Sequence, residues 1–546
     1  MQTDEALNLA IHHHQSGDLP GAEKIYRQIL TTDPNDLDAL YLLAQVSLQA
    51  GRGEEALKLI RRAIAIDSRV AELHQVLGSI LESRNELDHA IDAHRQALAL
   101  NPDLGAAHSG LGHALRKKGD LETAISHMRQ AAALQPSVPQ THYNLGVFLQ
   151  ESGQALPALA SYRRSLDLKP DFVEARCQAG ALLLEVDDPA AAMEFLNRAI
   201  ADRPEYAEAH NNLGVAHHAM GRFEEAIASF QRASDLRPDN AESHWNRALS
   251  RLLSGDSERG WQDFRRGWPF QAQRASIKFT GPEWDGANLA GKRILIHNQW
   301  GAGDAIQMAR YLPAVVERGG TIVCMCHHSL HRLLAQIAPV RQWIGLKDPL
   351  PPYDTHCSMV GLPAIFGLLP ANKPYLRADK TAVAQWRMRV PADDRPKVGI
   401  AWANRPIPPG RCPPTSAWAT LAQASNAWFC MLQKPIAMQR GPGVPAGIPM
   451  VDWTSDLRDF ADTAALIESL DLVISVDTAV AHLAAALGKP VWLLLKNVPD
   501  WRWMMDRADT PWYSTMRLFR QPTRGDWDTP LSQIVEKLKA GKKAIH

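Results

Sequence analysis

Residues 207–240 read AEAHNNLGVAHHAMGRFEEAIASFQRASDLRPDN, and this stretch of 34 residues decides the fold of the first half of the chain. The same arrangement recurs upstream, because a proline falls on one 34-residue grid and Ser68 fills its single vacant position. These prolines are Pro34, Pro102, Pro136, Pro170, Pro204 and Pro238. Such a period predicts a stack of repeated units rather than one globular core.

Three further series of residues share the period. Small residues recur at two positions where helices must touch, and these are Ala10, Ala44, Gly78, Gly112, Gly146, Gly180 and Gly214, with Ala22, Ala56, Ala90, Ala124, Ala158, Ala192 and Ala226. The third series predicts the turn between the two helices of each unit, and it consists of Gly17, Gly51, Asn85, Gly119, Gly153, Asp187 and Gly221. Each unit is therefore predicted to be a helix pair.

This pattern resembles the tetratricopeptide repeat over seven full units, roughly residues 3–240. The resemblance implies an all-α superhelix with a concave groove that binds peptides. Residues 241–254 and 257–267 keep the helix pair as a degraded eighth unit, in which Trp261 and Trp268 replace the usual pattern. This unit is expected to cap the array against the next domain. We assign residues 1–270 to this array.

Asparagine and histidine recur at positions that face the groove in such repeats. The asparagines are Asn8, Asn144, Asn212 and Asn246, and two residues before that position lie His74, His108, His142, His210 and His244. An asparagine amide can pair with both the carbonyl and the N–H of an extended peptide. A similar, uninterrupted ladder holds peptides in O-GlcNAc transferase. We predict that Asn144, Asn212, Asn246, His142 and His210 bind a polypeptide acceptor; the alternative is that they only bridge adjacent helices.

Composition separates the two halves of the chain. Among 546 residues, 59 are Lys or Arg and 59 are Asp or Glu, which argues against a protein that wraps nucleic acid by global charge. Residues 1–274 nevertheless carry 28 basic and 37 acidic residues, and all 16 tryptophans lie at Trp245 or later. Two unlike modules are therefore joined near this point.

The sequence also indicates the compartment. Six cysteines at irregular spacing predict no disulfide framework, which favours a reducing environment. The first residues lack the pattern of a signal peptide, and no run of 18 apolar residues occurs. We expect a cytoplasmic protein without a membrane span.

Strand-like runs alternate with helical ones after about Arg274. The predicted strands are residues 293–297, 321–326, 397–401, 428–432, 472–476 and 490–495, and a helix is predicted from Ala305 to Gly319. This alternation predicts an α/β fold of two Rossmann-like lobes, residues 275–390 and 396–546, with a ligand at the carboxyl ends of the strands.

The strongest chemical pattern in this half surrounds Asp477 and Thr478. A strand ends at Val476, and a helix of small residues follows with His482 on its first turns. Free backbone N–H groups and the helix dipole at such a start can bind a phosphate. The backbone of Thr478 and Ala479 is therefore a predicted phosphate site.

This segment, together with residues 301–304 (GAGD), resembles the bacterial heptosyltransferase-like glycosyltransferases of GT-B fold. Residues 500–503, 511–513 and 518–521 resemble the subgroup fused to tetratricopeptide repeats, some of which glycosylate flagellin. The resemblance covers essentially the whole chain. It implies an inverting glycosyltransferase with a nucleotide-sugar donor and with no cofactor or metal.

The resemblance places the catalytic base on Asp304, which would take the proton of the acceptor hydroxyl. The alternative is that Asp304 only caps the helix that follows. Donor binding is assigned to Asp477, Thr478, Ala479 and His482, and to Gln433 and Lys434 after the strand at 428–432.

Four further residues are candidate donor contacts, and three of them have an alternative role. Arg411 is a weaker phosphate ligand, because its proline-rich loop at 404–415 departs from the basic, Ser-containing loop of the family. Asp462 and Thr463 are predicted either to meet the ribose or to cap a helix at 464–470. Arg502 is predicted to pair with a sugar carboxylate, or to lie buried in an aromatic core.

Residues 324–328 (CMCHH) place soft metal ligands close together, but Cys324 and Cys326 alternate with Val323 and Met325 along a strand. We predict no metal site there.

Three functions compete at this point. The leading hypothesis is a protein O-glycosyltransferase that acts on a captured polypeptide, of which flagellin is one candidate. The others are a non-catalytic binding module or assembly chaperone, and a heptosyltransferase-like enzyme of lipopolysaccharide assembly. The sequence names neither the sugar nor the nucleotide.

Overall fold

A computed structural model describes residues 3–275, 277–368, 373–403, 412–434 and 443–545. The chain divides into two compact units, Met1–Asn212 and Leu213–His546. This division does not test the predicted domain limits at 270/275 and 390/396, which mark where repeats give way to the first lobe and the first lobe to the second. Those limits stay predictions.

Sixteen α-helices fill the described residues from 3 to 275. They are α1 Thr3–Gln15, α2 Leu19–Thr32, α3 Leu37–Gln49, α4 Gly53–Ile66, α5 Ala71–Ser83, α6 Leu87–Leu100, α7 Gly105–Lys117, α8 Leu121–Leu134, α9 Pro139–Glu151, α10 Ala155–Leu168, α11 Val173–Glu185, α12 Pro189–Asp202, α13 Ala207–Ala219, α14 Phe223–Leu236, α15 Ala241–Ser254 and α16 Ser257–Arg274. The first unit ends within α13. The predicted all-α repeat fold is confirmed.

The turn inside each helix pair has left-handed backbone geometry, which glycine adopts at little cost and Asn or Asp at some cost. The φ angle is positive at every predicted turn residue: Gly17, Gly51, Asn85, Gly119, Gly153, Asp187 and Gly221. Gly255, with φ 97°, continues the series between α15 and α16. The turn prediction is therefore confirmed, including its two non-glycine members.

Small residues allow the paired helices to approach closely, as predicted. A Cβ at Gly146 would lie 2.5 Å from the Tyr162 ring, and one at Gly180 would lie 2.7 Å from Leu196. In the second unit, Gly214 has the same relation to Phe230, at 2.6 Å. The small residue of one helix thus receives a large side chain of its partner helix.

The second unit contains two parallel sheets. The first consists of β1 Arg293–His297, β2 Thr321–Met325, β3 Val340–Ile344 and β4 Thr355–Ser358, in the order β3-β2-β1-β4. The second consists of β5 Lys397–Ala401, β6 Trp428–Met431, β7 Met450–Val451, β8 Leu472–Val476, β9 Val491–Leu495 and β10 Met516–Arg520, in the order β10-β9-β8-β5-β6-β7. All pairings between these strands are parallel, so the predicted α/β class is confirmed.

Eight α-helices accompany the described parts of these sheets. They are α17 Ala302–Met308, α18 Leu312–Glu317, α19 His331–Leu334, α20 Leu362–Phe366, α21 Lys380–Arg387, α22 Phe460–Glu468, α23 Ala479–Ala486 and α24 Asp528–Lys539. The single helix predicted at 305–319 was wrong in extent: a short 3₁₀ segment at Ala309–Tyr311 separates α17 from α18, which has proline in its first turn. The helix predicted at 464–470 begins instead at Phe460, because the side chain of Asp459 caps it.

The last helix pair, α15 and α16, shares a hydrophobic core with the sheets of the second unit. Trp261 packs edge-on against Trp501 with ring centroids 5.3 Å apart, and the N–H of Met505 donates to the carbonyl of Leu253 at 3.2 Å. This contact agrees with the capping role of the eighth unit, which stays a prediction. Among the described residues, no helix has the length and apolar character needed to cross a bilayer.

Candidate donor and catalytic site

A cavity of about 330 Å³ opens at the carboxyl ends of β5, β6 and β8. The strand order of the second sheet reverses between β5 and β8, which is where open α/β sheets bind ligands. The cavity is lined by Ser329, Ala401, Ala403, Leu432, Gln433, Lys434, Leu457, Arg458, Asp459, Phe460, Thr463, Thr478, Ala479 and Val480. The fold therefore brings together five of the predicted donor residues: Gln433, Lys434, Thr463, Thr478 and Ala479.

The N-terminus of α23 forms one wall of this cavity. Thr478 has extended backbone geometry and ends the buried strand β8, and its side chain caps the helix by accepting from the N–H of Ala481. The Thr478 hydroxyl also lies 2.8 Å from the Ser475 hydroxyl. Because the first N–H groups of a helix lack internal partners, this wall carries positive potential.

Gln433 and Lys434 follow β6 on another wall. The side-chain oxygen of Gln433 accepts from the N–H of Ala403 at 2.8 Å, which ties the segment after β6 to the segment after β5. Lys434 is exposed and supplies a positive charge at the cavity. Arg411 lies outside the described residues.

The turn at residues 301–304 meets α23 directly. A Cβ at Gly303 would lie 3.3 Å from the Cα of Ala479 and 2.9 Å from the ring of His482, so only glycine fits without displacement. Asp304 follows in α17, and one of its carboxylate oxygens accepts from the N–H of Gly301 at 3.0 Å. The predicted capping role of Asp304 is thus observed. Asp304 lies one residue from the contact with Ala479 but does not itself line the cavity.

Arg502 holds the other oxygen of the Asp304 carboxylate. Its Nη2 donates to Asp304 at 2.6 Å, its Nη1 to Asp500 at 2.7 Å and its Nε to Gln307 at 2.7 Å. The guanidinium also stacks on Trp501 at 4.4 Å. Although burial by itself would lower it, Asp500 and Asp304 raise the pKa of Arg502. Arg502 is thus a buried cation among aromatic residues, which favours the second of its two predicted roles.

His482 is buried behind the cavity in a polar network. Its Nδ1 lies 3.0 Å from the hydroxyl of Tyr513, and its Nε2 lies 3.7 Å from a carboxylate oxygen of Asp477. The ring of Trp503 stacks on the imidazole with centroids 5.4 Å apart. These contacts fix the ring orientation, so His482 supports the start of α23 rather than lining the cavity.

Asp462 lies in an ion-pair cluster at the rim. Arg458 donates from Nε to Asp462 at 2.9 Å, and Arg332 of the first lobe pairs with both Asp462 and Asp459. Burial would raise the pKa of Asp462, but the hydrogen bonds from Arg458 and Arg332 outweigh it and lower the pKa to about 2. Asp459, and not Asp462, is the N-cap of α22, so the capping alternative for Asp462 was wrong. Contact of Asp462 or Thr463 with a ribose stays a prediction.

The predicted acceptor residues are hydrogen-bonded within the repeats. A ring nitrogen of His142 lies 3.1 Å from the carbonyl of Pro136, and one of His210 lies 2.9 Å from the carbonyl of Pro204, in each case six residues earlier. Asn144 donates to His113 at 3.1 Å, and Asn212 lies 3.5 Å from Cys177. The asparagine contacts join helices of neighbouring units, as the bridging alternative requires, whereas the histidine contacts reach only the turn before their own helix. Binding of an acceptor by these residues and by Asn246 stays a prediction.

Sequence reasoning missed Ser329, Arg332, Arg458 and Gln307. Arg458 could have been found, because it stands just before the helix that carries Asp462 and Thr463. Arg332 and Gln307 offered no sequence signal, since their partners lie 130 and 195 residues away.

Comparisons with known proteins agree with this architecture. Models of the tetratricopeptide repeat match residues 13–80, 73–106, 112–153, 190–221 and 207–240. The model of glycosyltransferase family 9 (heptosyltransferase) matches residues 458–498, a segment that includes Asp462, Thr463, Asp477, Thr478, Ala479 and His482. The chain therefore combines tetratricopeptide repeats with a heptosyltransferase-like α/β region.

Individual relatives cover parts of the chain. Protein FlbA of Caulobacter vibrioides is 24% identical over 311 residues, which span 51% of this chain and 52% of that protein. The chain thus matches about half the length of this curated relative. The crystal structure of YrrB, a TPR protein with an unusual peptide-binding site, shares 25% identity over 34% of this chain and 95% of its own, with a TM-score of 0.31. The thermophilic TPR protein TTC0263 of Thermus thermophilus shares 23% identity over 33% of this chain and 99% of its own, also with a TM-score of 0.31.

Proposed function

We propose that this protein is an inverting, metal-independent glycosyltransferase of GT-B type that transfers a sugar from a nucleotide donor to Ser or Thr of a polypeptide held by the repeats. The observation that carries the proposal is the contact of the Gly303–Asp304 turn with the N-terminus of α23, beside a cavity that contains Lys434. This contact brings a carboxylate next to a site suited to phosphate.

In this mechanism, Asp304 takes the proton of the acceptor hydroxyl while the acceptor oxygen forms a bond to the anomeric carbon. The bond from the anomeric carbon to the phosphate oxygen breaks, and the nucleotide leaves with the electron pair. The N–H groups at the start of α23 and the charge of Lys434 stabilise the leaving phosphate. Retention of turnover after treatment with EDTA would agree with this assignment of charge to the protein's own groups.

The acceptor part of the proposal assigns the polypeptide to the groove of the repeats, with flagellin as one candidate. Asn144 and Asn212 would exchange their contacts with His113 and Cys177 for the backbone of the acceptor. Such an exchange keeps each amide hydrogen-bonded, so it carries no large desolvation cost.

Catalysis is tested with Asp304→Asn. Nucleotide release is measured from a panel of UDP-, GDP-, ADP- and CMP-sugars, with flagellin as acceptor and mass spectrometry of the product. We expect Asp304→Asn to bind donor normally and to lose roughly 10²–10⁴-fold in turnover, the usual contribution of a positioned base. Asp394→Asn, at an exposed position outside the site, is the matched control. Equal turnover in both variants would refute the role of Asp304.

The acceptor groove is tested by changing Asn144, Asn212 and Asn246 together to alanine. We expect capture of the acceptor to be lost in a pull-down, while slow hydrolysis of the donor continues. Asn197→Ala, on an exposed face of α12, serves as the control. Capture that survives the triple change would favour the bridging role of these asparagines.

A further inference from the structure

Arg502 makes the most specific set of polar contacts around the proposed base. Only 8% of the residue is exposed, and Nε, Nη1 and Nη2 all donate to protein groups at 2.6 or 2.7 Å. Two of the three acceptors, Asp304 and Gln307, lie one turn apart on α17. Arg502 belongs to the second lobe and thus grips one helix of the first lobe at two points.

A buried guanidinium needs compensation by carboxylates, since desolvating an isolated cation is costly. Asp304 and Asp500 provide it. Each oxygen of the Asp304 carboxylate accepts one hydrogen bond, one from Arg502 and one from the N–H of Gly301, while 24% of the side chain stays exposed. This is the arrangement expected of a base that must be held in one orientation and yet remain accessible.

The segment that carries Arg502 is itself firmly anchored. Asp500 caps the short helical turn Trp501–Trp503 by accepting from the N–H of Arg502. Trp501 packs on Trp261, and the backbone N–H of Met505 donates a hydrogen bond to the carbonyl of Leu253. The last helix pair of the repeats therefore supports this segment. Arg502 is therefore not placed to swing toward a donor sugar.

We propose that Arg502 is the positioning residue of Asp304: it fixes the orientation of the carboxylate from across the lobe interface. The inference rests on the proposed function, because Asp304 must act as the base. It replaces the role expected from sequence, in which Arg502 would contact a sugar carboxylate.

The test uses the full chain, with nucleotide release from the panel of nucleotide sugars as the assay. Arg502→Gln should leave the Kd for nucleotide within about twofold, because Arg502 does not line the cavity, and should lower kcat about 10–100-fold. Arg507→Gln, whose partner Asp509 is exposed, is the control on the same segment.

A double-mutant cycle separates positioning from a merely structural role. In the Asp304→Asn background, Arg502→Gln should cost no further kcat, because the carboxylate it positions is gone. The same loss of kcat in both backgrounds, or a folded Arg502→Gln with wild-type kcat, would overturn the inference.

Two further variants keep the test decisive if Arg502→Gln does not fold. Arg502→Lys keeps the charge but not the planar fork, so kcat should fall while the Kd for nucleotide stays within about twofold. Asp500→Asn weakens the contact that holds Arg502 in place, so kcat should fall here too, with the Kd again unchanged. If neither variant differs from wild type, the inference falls. If Asp304→Asn is itself fully active, the proposed function falls with it, so the two failures are distinguishable.

Discussion

Gly303→Ala tests whether the contact between the lobes positions the proposed base. The added Cβ would lie 2.9 Å from Cδ2 of His482, 3.3 Å from the Cα of Ala479 and 3.5 Å from its nitrogen. The backbone at Gly303 does not have positive φ, so alanine meets no conformational strain there. Any effect therefore comes from the contact alone.

The magnitude follows from what can move. His482 is stacked on Trp503 and lies against Tyr513, and the other atoms are the backbone of Ala479, so neither side can yield freely. The turn must retreat by a few tenths of an ångström. Overpacking of this kind costs about 1–3 kcal/mol. Because a displacement of about 1 Å can cost 10²-fold in rate, we expect kcat to fall roughly tenfold.

The assay combines urea unfolding with steady-state nucleotide release at saturating donor. Gly361→Ala is the control, because its Cβ would meet only the Cys357 sulfur at 3.8 Å, an ordinary contact. A folded Gly303→Ala variant with wild-type kcat and KM would refute the idea that this contact positions Asp304.

Two further predictions concern donor binding and pH. Lys434→Ala should weaken nucleotide binding about tenfold in calorimetry with UDP, GDP, ADP or CMP, which is the low end for a charge-assisted contact because Lys434 is exposed. The control variant Lys380→Ala should bind the nucleotide as the wild type does. Unchanged affinity in Lys434→Ala would move the phosphate site toward Arg458 or Arg411. Burial lowers the pKa of His94 to about 4, so the unfolded chain takes up the proton first as pH falls below 6.5. The stability of the first unit should therefore drop between pH 6.5 and 4 by on the order of 3 kcal/mol, and this drop should be absent from His94→Leu. Urea unfolding monitored by circular dichroism measures this drop, because all tryptophans lie in the second unit and their fluorescence would not report on the first. If the stability of wild type and of His94→Leu depended on pH in the same way, the prediction would be contradicted.

The repeats could be predicted from sequence because their determinants are local and periodic. Asn85 and Asp187 have the left-handed turn geometry at positions where the other units have glycine. The position within the 34-residue period therefore predicted the turn better than the residue type did. Strands β1, β5 and β8 also matched their predicted limits, because each is a short apolar run that begins at or just after a charged residue. The limits of α17 and α22 were wrong, since Asp304 and Asp459 act as caps at positions that a hydrophobic pattern does not reveal.

In the candidate site, too, the local features could be predicted from sequence and the long-range contacts could not. Thr478 and Ala479 could be assigned from sequence because a strand, a turn and a helix start are consecutive in the chain. The partner of Asp304 could not, because Arg502 lies 198 residues away and reaches it only through the docking of two lobes. The sequence offered Arg502 either a sugar carboxylate or a buried place in an aromatic core, and the structure shows it buried against carboxylates of the protein itself. A buried arginine and a candidate base in the same chain are each ambiguous alone, and their contact at 2.6 Å gives both a testable role.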